Sequence, residues 1–452
     1  MRYSLSPPSS LIAFGLLAIR VFAAPQGRTS EAEEAKILDP DAECSPYSFQ
    51  PVQDALPQFP TIAAIADIVP TDTDAINLFN SIKDKIPNIL PKGTPEGDFS
   101  NLSYPADDPD CWWTNSQCVQ SKHAGIPPDV FDVPEPRTVG YGFDDGPNCS
   151  HNAFYDYLES ENQKATMFFV GTNVMYWPLE AQRALEDGHE ICVHTWSHHY
   201  MTSLTNEQAF AELYYSNILI AALTAQKAIK LVVGVTPTCW RPPFGDVDDR
   251  IRVIADALGM STILWKYDSF DWEVQSGQAT PEKVDSNYDA FINLGKQGAF
   301  DTAGGIILTH EIDNYTMGEA IKYHPKLKEI YTLVPVGVAL NKTQPYVEPD
   351  FSLPTFEEYI SGTTIVLGGT PQTTTASVAT AVVTSTNVAV TTVSGASATI
   401  SADSATSSVA FAANHRDGSS SNGASSNFIL GKSSISNAFI LGLAGAWAVL
   451  HL

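Results

Sequence analysis

From Pro136 onward, short apolar runs recur with helix-like stretches between them: Thr138 to Phe143, Ala165 to Gly171, Glu190 to His194, Ser261 to Tyr267 and Gly304 to Thr309. Strands spaced about 20 to 40 residues apart with helical segments between them describe an α/β fold built on a mostly parallel sheet or barrel. The clearest helices are read over Leu179 to Asp187, Asn206 to Ile229 and Val247 to Leu258. Chemically distinctive residues fall at or just after the ends of the apolar runs, where α/β folds place their sites.

The first such group is Gly142-Phe143-Asp144-Asp145-Gly146-Pro147, two adjacent carboxylates ahead of a Gly-Pro turn. One carboxylate can bind a metal while its neighbour takes a proton, although Asp-Asp-Gly is also common turn chemistry. The second runs from Glu190 through His194 to His199. Histidines four apart, His194 and His198, meet on one face of a helix or helical turn and can share a cation. With ten histidines in 452 residues, this pair and the upstream Asp pair point to a divalent metal held by Asp145, His194 and His198. His189 and His199 are read as structural neighbours. Arg241, ahead of Pro242 and Pro243, is suited to holding a carboxylate by paired hydrogen bonds. Asp271 stands beside Trp272, and His310 ends the apolar run that contains Leu308.

The flanks carry a different message. Residues 1–23 have the layout of a secretory signal peptide, and 24–125 are Pro-, Asp- and Asn-rich with one expected helix from Thr73 to Ile86. Beyond a core at 126–340 and an edge at 341–369, residues 370–426 form a Ser/Thr-rich stalk that cannot bury a core. The small residues at Asn422, a spacer and the apolar tail within 427–452 have the order of a GPI-attachment signal, anchoring the chain to the outer face of a membrane through lipid alone. Six cysteines, an even number, suit disulfides in an oxidising compartment, and only Cys111 with Cys118 is paired by proximity. Sequons at Asn101, Asn148, Asn314 and Asn341 agree with secretion and N-glycosylation. Fifty-one acidic against twenty-five basic residues give a formal charge of −26, which excludes nucleic acid as a partner.

In this order and spacing the five groups resemble the polysaccharide deacetylase family, whose shared part is the NodB homology domain (carbohydrate esterase family 4), over about Asp132 to Leu333. Within it, fungal chitin deacetylases that carry a GPI anchor look most similar. The resemblance implies a distorted (β/α) barrel with fewer than eight strands. It implies hydrolysis of N-acetyl groups from chitin or chitin oligomers at the cell wall or surface. Asp145, His194 and His198 would be metal ligands, Asp144 the base, Arg241 its holder, His310 the acid and Asp271 the group orienting it. Trp272 and Leu308 would wall the acetyl pocket, and the Phe244 N–H would face the oxyanion. The family usually has Thr at Gly142, Tyr at Phe244 and Asp at Glu311. Two histidines and a carboxylate suit zinc, cobalt and several other ions. Competing readings are deacetylation of acetylxylan or peptidoglycan, an inactive carbohydrate-binding wall protein, and a structural zinc site, which would need four protein ligands.

Overall fold

The computed structural model describes residues 28–216, 227–363 and 366–367. The leader read over 1–23, the stalk over 370–426, the propeptide over 427–452 and Asn422 lie outside the described residues. Nine strands build the core: β1 Thr138–Gly140, β2 Gly142–Gly146, β3 Thr166–Phe169, β4 Glu190–Val193, β5 Cys239–Trp240, β6 Ser261–Thr262, β7 Tyr267–Asp268, β8 Gly305–Leu308 and β9 Thr332–Val334. They form two parallel sheets, β2-β3-β4-β5-β6 and β7-β8-β1-β9.

The sheets join at two places where the sequence led us to expect one unbroken strand. Over Thr138 to Phe143 the switch falls at Tyr141, whose N–H donates to Val334 O while its carbonyl accepts from Thr166 N–H. One residue thus leaves the neighbour of β1 and enters that of β2. Gly142 follows because a Cβ there would lie 2.7 Å from Thr166 O. Over Ser261 to Tyr267 the path is interrupted because Val130 inserts beside it, accepting from Leu264 N–H and donating to Thr262 O. A parallel bridge between Asp144 and His310 links the end of β2 to the residues after β8. The Asp144–His310 bridge at one edge and the chain passing directly from β6 to β7 at the other connect the two sheets as a distorted (β/α) barrel of fewer strands than eight.

The helices start where side-chain caps predict. Asp248 accepts from Ile251 N–H ahead of Asp249–Ala257, Thr280 with Pro281 opens Pro281–Lys296, and Asp313 forms a capping box before Asn314–Lys328. The helix expected from Asn206 to Ile229 is not continuous. Asn206–Ser216 is helical, but Lys227 is extended and a separate helix begins at Ala228. Lys227 is pulled from a helical path by tertiary partners, since its Nζ lies 2.6 Å from Asp72 and over the rings of Tyr214 and Tyr215. The early helix spans Thr73–Ile82 and tightens into a 3₁₀ turn over Lys83–Lys85.

The segment 28–125 is not an appendage. Val52, Phe59, Ala66 and Ile82 are buried in the same apolar cluster as Phe143, Met167, Ile191 and Trp240. Lys92 bonds Asp248 at 2.6 Å and Asp110 at 2.8 Å, and Trp112 Nε1 donates to Asp246 Oδ1 at 2.8 Å. Three disulfides are formed: Cys44–Cys149, Cys111–Cys118 and Cys192–Cys239. The first closes a separation of 105 residues and the second one of 7. Loop-closure entropy then assigns about 4.8 kcal/mol to Cys44–Cys149 and about 2.4 kcal/mol to Cys111–Cys118. Replacing each pair by alanines should lower the urea midpoint roughly twice as far for the long loop; equal shifts would mean that the N-terminal segment is held by its packing alone.

Candidate active site

At the carboxyl end of β2 the chain carries Asp144 and Asp145 to opposite tasks. Asp144 is buried, and its Oδ1 accepts from Arg241 Nη1 at 2.6 Å. Arg241 follows β5, its guanidinium lies 3.8 Å from the Phe168 ring centroid, and its Nε donates to Ile263 O at 3.4 Å. The paired hydrogen bonds expected from Arg241 are a single one: Nε is taken by a backbone carbonyl, and Nη2 is buried without a hydrogen-bond partner. Burial works against the charge on Arg241, and Asp144 opposes that effect.

Asp145 has a positive φ of 74°, which turns its side chain away from Asp144 and toward the histidines. Gly146 follows in a space that admits no side chain, since a Cβ there would meet Glu311 Oε1. Asp145 Oδ1 lies 3.1 Å from His194 Nε2 and 2.9 Å from His198 Nε2, and is buried without a hydrogen bond. His194 Nδ1 is 2.7 Å from the carbonyl of Arg241. A carbonyl can only accept, so Nδ1 carries the proton and the Nε2 of a neutral His194 presents a lone pair to Asp145. Carboxylate and imidazole lone pairs that face one another across such a gap fit a shared cation, and the second ring nitrogen of His194 is oriented by backbone as metal-binding histidines usually are. The three ligand atoms lie within 4.8 Å of one another, so Asp145, His194 and His198 together can hold a divalent ion. Among the described residues the other such group, Glu190 with Cys192 and Cys239, has both sulfurs in a disulfide.

The two histidines do not share a helix face as the spacing led us to expect. His194 directly follows β4, and Thr195 and His198 have positive φ of 65° and 59° in an irregular loop. The amide that would close a helical turn goes elsewhere, since His198 N–H donates to Thr195 Oγ1 at 3.1 Å, while Glu212 Oε2 accepts from Trp196 N–H at 2.9 Å and Ser197 N–H at 2.8 Å, and Oε1 from Ser197 Oγ at 2.7 Å. Glu212 was missed from sequence, although an acid within the apolar stretch Ala209 to Tyr215 was the available signal. Asn173, also missed, donates from Nδ2 to Asp145 O at 2.7 Å. His189 and His199 bond Ala165 N–H and the Ser197 backbone, away from the ligand set.

Across the bridge from Asp144, His310 Nδ1 is 2.6 Å from Asp271 Oδ1, and its amide donates to Asp271 Oδ2 at 3.1 Å. Burial alone would lower the His310 pKa, but the Asp271 carboxylate, with Asp145 and Asp144 behind it, pushes it up to about 10. Trp272 N–H donates to Asp271 Oδ1 at 2.9 Å, and buried Leu308 ends β8 two residues before His310. The Phe244 ring packs edge-on against His198 at 4.7 Å and stacks on Tyr200 at 4.1 Å, with φ of 57°. Glu311 accepts from Tyr155 OH at 2.9 Å and Asn148 N–H at 3.3 Å, and burial raises its pKa to about 8. Of the sequon residues, Asn101, Asn314 and Asn341 are exposed, whereas Asn148 is half-buried, with Nδ2 bonded to Ile312 O and Oδ1 accepting from Ser150.

Residues 132–263 match the family described as polysaccharide deacetylase, a stretch that contains Asp144, Asp145, His194, His198 and Arg241. Chitin deacetylase 2 of Cryptococcus neoformans var. grubii is 49% identical over 350 residues, 76% of this chain and 75% of that protein. The chitin deacetylase of Amylomyces rouxii is 41% identical over 357 residues, 76% of this chain and 79% of that protein. A solved chitin deacetylase structure from Colletotrichum lindemuthianum superposes with a TM-score of 0.42 at 22% identity, covering 49% of this chain and 96% of the other.

If Glu212 holds the loop that presents His198, Glu212→Gln, which puts a donor against donors, should weaken metal binding by about 10- to 100-fold in a chelator competition titration. Wild-type affinity in a folded variant would show that other contacts set the loop.

Proposed function

The chain belongs to the polysaccharide deacetylase family, and from that premise we propose that it hydrolyses the N-acetyl groups of chitin, releasing acetate and leaving glucosamine units. The observation that carries the reading is the Asp144–His310 bridge, which sets a carboxylate and an imidazole on adjoining strand ends beside the Asp145, His194 and His198 cluster.

An amide resists hydrolysis because its carbonyl is weakly electrophilic and its nitrogen departs only when protonated. A divalent ion held by Asp145, His194 and His198 supplies a Lewis acid for the acetamide oxygen and lowers the pKa of water. Zinc and cobalt both suit this donor set. Asp144, fixed by Arg241 through Oδ1, takes the proton from the attacking water. The Phe244 N–H donates to the oxygen as its charge grows. His310, kept protonated by Asp271, gives its proton to the departing nitrogen, the C–N bond breaks, and acetate and the amine leave. Trp272 and Leu308 wall the acetyl methyl. Peptidoglycan and acetylxylan would use the same chemistry, and the identity with chitin deacetylases over three quarters of the chain favours chitin.

The enzyme works outside the cell, exported by its leader and held through lipid attached near Asn422. Supporting this are the pairing of all six cysteines, which fits an oxidising compartment, and the exposed sequons at Asn101, Asn314 and Asn341. Among the described residues no helix is long and apolar enough to cross a membrane.

Two measurements bear on these roles. Asp144→Asn should keep the bound metal and slow acetate release from chitin oligomers by about 10²- to 10⁴-fold, whereas His194→Ala should lose both. Undiminished turnover in Asp144→Asn would remove the base from Asp144. The second is the pH profile. A His310 pKa above its unfolded value means that the proton is held through neutrality and lost as pH rises toward 10, and the associated stability is complete below about 6.5 and disappears over the same rise. Asp271→Asn should shift the alkaline limb of kcat downward by about one pH unit or more while the acid limb stays fixed. An unmoved alkaline limb would show that His310 is not the acid.

A further inference from the structure

Beside the His310–Asp271 dyad stands a further acid, Asp268, which takes no part in the proton transfers. It ends β7 opposite Leu308 of β8, three residues before Asp271 and past residue 263, where the family match stops. Its Oδ1 accepts from Phe270 N–H at 2.7 Å. A bond from an aspartate to the amide two residues on closes a local turn. Here the turn holds Phe270 at a φ of 55°, in the left-handed region that a bulky residue enters only when its surroundings impose it. Ser269, between them, is buried: its N–H donates to Leu308 O at 3.2 Å, and its Oγ accepts from Asp271 N–H at 3.3 Å. Asn287, from the helix Pro281–Lys296, donates from Nδ2 to Ser269 O at 2.9 Å.

The far end of this loop is the dyad itself. Asp271 Oδ1 lies 2.6 Å from His310 Nδ1 and accepts from Trp272 N–H at 2.9 Å, while Oδ2 accepts from His310 N–H at 3.1 Å. Both oxygens of Asp271 therefore reach His310 only from the backbone position in which the turn leaves them. Burial pushes the Asp268 carboxyl up to about 7, against the opposing pull of Phe270 N–H and His310. A carboxyl oxygen accepts in either protonation state, so the turn does not depend on the charge. We propose that Asp268 is a positioning residue for the deacetylation: its turn sets the backbone of Asp271, and through Asp271 the orientation of His310. The proposal rests on the function read above.

Two substitutions in the full, metal-loaded chain separate the turn from the charge. Asp268→Asn keeps an oxygen that accepts from Phe270 N–H and removes the charge, whereas Asp268→Glu keeps the charge and carries it one methylene out of the turn. Steady-state acetate release from N-acetylglucosamine tetramer is followed against pH, together with bound metal and thermal unfolding. Asp268→Glu should lower kcat by about tenfold or more, part of the 10² to 10⁴ that a placed acid contributes, with KM and metal content at the wild-type level. Its alkaline limb should also move to lower pH as Asp271 loosens its hold on His310, and Asp268→Asn should rescue both kcat and the limb. A kcat gap between the two variants below about fivefold, or one that favours Asp268→Glu, would overturn the proposal. So would a loss of kcat that brings loss of bound metal with it, by making the turn a purely structural support. Should Asp268→Glu not fold, Asp268→Ala takes its place. If the wild-type chain releases no acetate, the deacetylation reading fails by itself, and amide hydrogen exchange then tests the turn. Exchange at His310 N–H about tenfold faster in Asp268→Glu than in Asp268→Asn would sustain it, and equal protection in the two would remove it.

Discussion

Two carboxylates adjacent in sequence cannot both be buried and charged without separate partners, because desolvation costs several kcal/mol for each ion and their repulsion adds to it. Asp144 finds its partner in Arg241 at 2.6 Å. Asp145 turns the other way through a positive φ and faces two imidazole nitrogens, where a cation offsets its charge. Nearly everything around the site serves that division. The carbonyl of Arg241 sets the His194 tautomer, so the residue that fixes one carboxylate also prepares a ligand for the other. The Cys192–Cys239 bond ties β4 to β5 two residues from each of these groups.

A similar economy joins the N-terminal segment to the chemistry. Glu212 accepts from Ala66 on one side and from Trp196 and Ser197 on the other, so a single carboxylate couples residues outside the family match to the loop bearing His198. Asp246 acts in parallel behind the Arg241 turn, accepting from Trp112, Thr114 and Thr202. The segment read from sequence as having no assigned role is thus bonded to both loops that shape the site. These bonds make it a support for the site loops rather than a separate module.

Local signals were legible in advance. The helix that starts at Thr73, the apolar runs that became β3, β4 and β8, and the grouping of Asp145, His194 and His198 follow from spacing and residue type. What could not be read depends on partners distant in the chain. The break at Tyr141 requires Val334 and Thr166 on either side, and the end of helical structure before Ala228 requires Asp72 opposite Lys227. The His-x-x-x-His spacing pointed to a helical turn, but the His198 amide that would close it bonds Thr195 Oγ1, and Glu212, distant in sequence, holds the amides of Trp196 and Ser197 in a loop. Only Cys111 and Cys118 are near neighbours in sequence, so the two long-range disulfides were open until the fold was in hand.

The central claim is that one divalent ion sits among Asp145, His194 and His198 with a position left open. X-ray absorption on the metal-loaded wild-type chain reads this directly. The account predicts two imidazole nitrogens, with the remaining ligands light oxygens from Asp145 and solvent. A shell closed by four protein ligands, or one containing sulfur or a single imidazole, would contradict it.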